Sequence, residues 1–306
     1  TNTTGANNVA MGFAALQLST TSSNNTGIGY AALNANTTGA ENTAVGKNSM
    51  VANTTGENNV AVGVNALDAN TTASNNTAIG HKSLSANTTG TRNTAIGTNA
   101  LDSNTTASYN NAFGFDALGV NTTGAGNIAI GDSVLSQSTT ASNNVGIGSF
   151  NGSTLPALYS NTTGNQNIAL GVGALKSNTT ASNNVAIGHE ALTANTTADN
   201  NVAIGKDAGK SITTGTQNVI LGTGANDANN GDENVVIGYT AEISGAGGHN
   251  QIVMGRGTVG NANLSFCFGE AENDSAIAFG ATSITAPSDI RLKEDIQDEE
   301  VGLDFI

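Results

Sequence analysis

Short apolar runs recur along the chain, each alternating large and small side chains and each closed by glycine, as in Asn59-Val60-Ala61-Val62-Gly63. The closing glycines run from Gly12 through Gly29, Gly46, Gly63, Gly80, Gly97, Gly114 and Gly131 to Gly148 in steps of 17. After an interruption they resume at Gly171, Gly188, Gly205 and Gly222, followed by Gly238 at a step of 16 and by Gly255. Between glycines lie an Ala-Leu pair and an Asn-Thr-Thr triplet, such as Ala66-Leu67 and Asn70-Thr71-Thr72. A four-residue alternating strand plus Gly- and Asn-rich turns fills the unit, and helical repeats need about 33 residues or more, so helices are excluded. The pattern predicts a β-solenoid in which each unit is one coil and equivalent residues stack in parallel, about 4.8 Å apart. The glycine is expected to turn the backbone with positive φ or to allow close packing. The Asn before each strand is expected to stack into an amide ladder.

The register predicts repeats over 1–255, with one insertion near 149–159 that should leave the stack as a loop. Over 256–287 the register is lost while Leu264, Phe266 and Phe268 alternate, as do Ile277 and Phe279, which reads as a β connector with larger side chains. The segment 288–306 is charged and helix-forming: Ser288 or Asp289 can cap a helix whose Ile290, Lys293 and Ile296 share one face.

Composition narrows the function classes. With 37% hydrophobic, 4% aromatic and 10% charged residues, 39 Gly, 45 Asn and 41 Thr, a large conventional core is excluded. Three or four apolar side chains per coil bury too little surface to offset the ordering of 17 residues, so association of identical chains is expected. The net charge of -14 disfavours nucleic acid and anionic lipid. No apolar run approaches the roughly 20 residues of a membrane-spanning helix, so no membrane insertion is expected. Cys267 is alone and reads as a small buried hydrophobe between Phe266 and Phe268.

Two resemblances go further. The run Asn-x-Ala-Ile-Gly followed by Ala resembles the head repeats of trimeric autotransporter adhesins. The longer unit with Ala-Leu and Asn-Thr-Thr-Gly resembles repeat shafts of phage tail fibres. Both imply an all-β, repetitive parallel β-solenoid (β-roll-like) shaft in a parallel homotrimer, whose Ala, Val/Ile and Leu positions are expected to face inward. The stretch Ser288-Asp289-Ile290-Arg291-Leu292-Lys293-Glu294-Asp295-Ile296 resembles the opening of the self-cleaving intramolecular chaperone domain at the C-termini of phage tail spikes and fibres. Gly302-Leu303-Asp304-Phe305-Ile306 is similar to that domain's next helix, so 288–306 reads as a truncated start of such a domain, α-helical in part. The resemblance implies cleavage before Asp289, with Ser288 as nucleophile and Lys293 as the activating amine, a chemistry open to a hydroxyl beside an amine of lowered pKa.

Other candidate chemistry is sparse. In the insertion, Phe150, Pro156 and Tyr159 could contact a ligand, or the loop could pack its own apolar residues. His81, His189 and His249 are spread along the repeats, and Asp68, Asp102, Asp116 and Asp132 read as scattered over different coil positions, so no metal and no cofactor is expected. An ice-binding face would need a Thr-x-Thr array, whereas adjacent threonines alternate faces. The resulting expectation is a virion tail fibre, extracellular, not an enzyme on external substrate, whose partners are itself, other tail proteins and a host cell-surface glycan or protein. A bacterial trimeric surface adhesin of autotransporter type is the alternative.

Overall fold

The computed structural model describes residues 2–271 and 274–280. Sixteen strands, β1 (Val9–Met11) to β16 (Ser265–Phe268), stack one per coil in a single parallel sheet, each paired with its sequence neighbours. Representative members are β4 (Val60–Val62), β6 (Thr94–Ile96), β7 (Asn111–Phe113), β9 (Val145–Ile147), β10 (Ile168–Leu170) and β13 (Val219–Leu221). The register advances by one unit per strand, as in Val60↔Thr77, Ala61↔Ala78 and Val62↔Ile79. Most strands have three residues, not the four expected, because the turns begin at the closing glycine. The described residues contain no α-helix, and none of their segments is a helix long and apolar enough to cross a membrane. The helix expected over 288–306, with Ser288 and Lys293, lies outside the described residues.

The glycine column is fixed twice over. Gly80 has φ +136, and a Cβ there would sit 2.5 Å from the carbonyl oxygen of Gly97 in the next coil. The column continues through a 14-residue coil to Gly269, with β15 (Gln251–Met254) paired to β16 in parallel. Among the described residues the parallel stack ends where β17 (Ser275–Ala278) pairs antiparallel with β16. Phe266 and Phe268 share one face of β16, ring centroids 5.1 Å apart, while Cys267 is buried.

After the closing glycine the chain makes two consecutive tight turns, in several coils both closed by backbone bonds, such as Ala32 N–H to Gly29 O and Asn34 N–H to Ala31 O. The third residue of each turn has positive φ, +55 at Ala31 and +51 at Leu33, the geometry that ordinarily selects glycine or asparagine. Leucine holds it at almost every coil because this backbone aims the side chain into the lumen, where Leu33, Leu67, Leu84 and Leu101 are fully buried.

Two asparagine ladders line the same lumen. In the first, Asn76, Asn93 and Asn110 are inaccessible, and each Oδ1 accepts the next coil's backbone N–H, as Asn93 Oδ1 does from Asn110 at 3.0 Å. In the second, Nδ2 of one Asn donates to Oδ1 of the preceding one, as in Asn70 to Asn53 at 2.8 Å, until Ser138 breaks the column. The first threonine of each triplet also bonds along the rod, Thr37 Oγ1 donating to Thr54 O at 3.0 Å, while the second, such as Thr38 and Thr55, faces solvent. Adjacent threonines therefore do alternate faces, and the exposed ones form a single file.

The inward assignment needs one correction. Only the middle strand residue, usually Ala, faces the lumen; the Val, Ile or Thr on either side points out. Ala95 is fully buried whereas Ile96 is 36% exposed. The lumen is already filled by the leucine opposite. Its width shows at Gly209, which replaces that leucine: a Cβ there would meet Leu192, Ile212 and Ile220 at 3.0–3.3 Å. Ile212 and Ile220 stand where neighbouring coils have Asn195 and Ala203, and both are buried. Volume removed at one position is restored at two others.

Candidate functional site

Three features of the surface are built well enough to act on a partner. The first follows from the strand alternation. Outward residues of successive strands form an apolar strip along the rod: Val62, Ile79, Ile96, Phe113, Ile130 and Ile147 are each 36–40% exposed. Large residues just after the glycines widen it in places, among them Phe13 and Tyr30, which stack at 5.5 Å. The remaining faces carry Thr, Asn, Ser and scattered charges.

The second feature is the insertion. Between Gly148 and Ala157 eight residues replace the two that other coils use, yet Ala157 N–H still donates to Gly148 O at 3.1 Å, closing the turn and returning Leu158 to the leucine column. The loop therefore leaves the corner without disturbing the stack. Inside it, Asn151 Oδ1 accepts from the backbone of Ser153 and Thr154 at 3.1 and 2.8 Å. On the following coil, Gly173 stands where most coils carry a larger residue, and a Cβ there would lie 2.9 Å from Thr154 Cγ2. Phe150, Pro156 and Tyr159, the three loop candidates from the sequence, come together with Leu155 and Ser133 around a cavity of about 260 Å³. Leu155 and Ser133 were missed, and Ser133 could not have been found without the register that sets its coil under the loop.

The third is a charge cluster that the sequence reading overlooked. His189, Glu190 and Asp207 bring potential ligand atoms within 4.8 Å of one another. The signal was present, since Asp207 lies one coil after Glu190. All four carboxylate oxygens face ammonium groups: Lys176 and Lys210 bond Glu190 at 3.0 and 3.1 Å, while Lys210 and Lys206 lie 3.1 and 3.6 Å from Asp207. The hydrogen bond from Lys176, supported by Lys210, holds the Glu190 carboxyl below its usual range, and bonds to Asp207 and Glu190 push Lys210 up. A divalent cation would have to displace three lysines, so this is an ion-pair network joining three coils.

The remaining titratable residues do not converge. His81 and His249 are exposed on other coils. Asp68 and Asp102, taken as occupying different positions, in fact share one column two coils apart, with Ser85 between them donating to Asp102. Burial pushes Asp68 and Asp116 up, and the Asp102 charge adds to both. Ser288 and Lys293 lie outside the described residues. No known protein-family profile matches the chain, and no curated protein matches it.

Proposed function

We propose that this chain is the shaft of an extracellular attachment fibre of the phage-tail type, assembling with identical copies as a parallel homotrimer and presenting its polar flanks and loop to a cell-surface glycan. The observation that carries the reading is the apolar strip. Sixteen strands at about 4.8 Å make it about 70 Å long and, at about 10 Å wide, about 700 Å² in area. That exceeds the typical largest patch on a monomer and approaches the roughly 800 Å² that one partner contributes to a stable interface. A partner covering it at every coil must repeat at the same rise, and another copy of this chain does so. Parallel copies around one axis leave no open side to the assembly. Three copies, and a tail-fibre setting, rest on the resemblance of the repeats and of the Ser288–Ile296 segment. Weak contacts repeated on identical flanks suit a surface dense in glycans, because avidity multiplies individually poor sites.

Sedimentation equilibrium of the 306-residue chain tests the assembly. The expected mass is three times the 30.3 kDa of one chain, and the double variant Ile96→Asp, Ile130→Asp, which places carboxylates in the strip, is expected to sediment as monomer. A monomeric wild-type chain at micromolar concentration would refute the reading. Attachment is tested by labelled chain on a glycan array, where no binding to any glycan would remove the proposed role.

A further inference from the structure

Resting on the attachment reading, the geometry points to a specific subsite: we propose that the cavity under the 149–156 loop binds one uncharged pyranose ring. The lining and the volume of the cavity lead there. The cavity is lined by two aromatic residues, Phe150 and Tyr159, by Pro156 and Leu155, and by Ser133; no charged residue lines it. A pyranose has an apolar C–H face that stacks on aromatic rings and hydroxyl edges that need donors and acceptors, which Ser133 Oγ and Tyr159 Oη can supply. Charged sugars would gain no counter-charge in such a site. At about 260 Å³ the space falls just below the roughly 300–1,000 Å³ of sites for drug-sized ligands, which suits one ring and not an extended oligosaccharide.

The loop is also held in place beforehand. Its ends are closed by the Ala157–Gly148 bond, its tip is braced by Asn151, and its far side rests on the coil carrying Gly173. Phe150 remains half-exposed and Leu155 38% exposed, while Pro156 is buried. A loop that served only to pack itself would bury its phenylalanine. Instead Pro156 and the adjoining Leu158 anchor it, and the aromatic face stays open beside the cavity. The order of the loop means that little conformational entropy is lost when a ring enters.

The test uses saturation-transfer NMR on the full chain with methyl glucoside, methyl galactoside and methyl N-acetylglucosaminide as probes, with sialic acid as the charged control and cyclohexanol as an apolar ring. Transfer is expected from at least one neutral pyranoside with millimolar affinity, as for other single-ring ligands, and not from sialic acid. Phe150→Ala should weaken binding about tenfold and Tyr159→Phe less, while Tyr109→Ala, an exposed aromatic outside both the strip and the cavity lining, should leave it unchanged. Circular dichroism identical to wild type in Phe150→Ala establishes that the stack survives. The proposal is overturned by absence of transfer from every pyranoside, by transfer unaffected in Phe150→Ala, or by cyclohexanol binding as well as the sugars. If the wild-type chain and Phe150→Ala bind a glycan array equally, the subsite is wrong while the attachment reading stands.

Discussion

Replacing Asn93 by leucine keeps the number and branching of the side-chain heavy atoms, yet it removes a well-defined polar link in the lumen. Asn93 is 1% exposed. Its Oδ1 accepts the backbone N–H of Asn110 at 3.0 Å, and its Nδ2 donates to the carbonyl of Ala107 at 2.9 Å. Asn93→Leu leaves the buried Asn110 N–H without a partner, whereas the Ala107 carbonyl keeps the bond it accepts from Asn104 Nδ2 at 3.1 Å, so a loss of about 1–3 kcal/mol is expected. The added apolar surface returns little, because Ala95 and Leu101 already fill the adjoining space. Stacked coils contact only their neighbours, so the damage should be local. Native-state hydrogen exchange reads it directly: the Asn110 amide should exchange faster by about fivefold or more, the low end of that energy range, while amides five coils away keep their wild-type protection. Exchange at Asn110 within threefold of wild type would mean that the ladder is incidental to stability.

Gly80→Ala should destabilise by more than about 2 kcal/mol, combining a φ of +136 with a clash against the Gly97 carbonyl, measurable as a lower denaturation midpoint, whereas Thr89→Ala on the exposed column should be neutral. Burial, reinforced by Asp227 and only partly offset by hydrogen bonds from Asn229 and the Asp227 backbone, pushes Glu242 from 4.5 up to about 7. Between those values the folded state holds a proton that the unfolded state has released, so stability should fall as pH rises from about 4.5 to 7 and then level off. Glu242→Gln should remove that slope in denaturant titrations, and an unchanged slope would refute the assignment. In a chain extended by a chaperone domain of the family that 288–306 resembles, N-terminal sequencing should find a fragment beginning at Asp289, and Ser288→Ala or Lys293→Ala should leave the chain uncut. Fragment release from either variant would remove that residue from its role.

The repeat, the strand, the glycine turn and the buried asparagine were all legible in the sequence, because each is a local requirement repeated at one spacing. A glycine needed at φ +136 in Gly80 is needed again at Gly97, and repetition turns a weak turn signal into a strong one. Alternation in Thr94-Ala95-Ile96 also announced two faces, but which face was inside depended on what stood across the lumen. A leucine forced into left-handed backbone at Leu101 and Leu118 fills that space, leaving room only for alanine and sending isoleucine outward. Local propensity would have placed glycine or asparagine at the leucine and the larger side chain in the core. The same holds for the surface: Phe150, Pro156 and Tyr159 were visible as a cluster in sequence, while Ser133 joined them only through stacking. Asp68 and Asp102 met by counting two coils, and Lys176, Glu190, Asp207 and Lys210 by adjacency across three. A sequence states what each coil requires of its own backbone, whereas contacts between coils, and the division of a strand into inside and outside, arise only once the coils are stacked and compete for one narrow lumen.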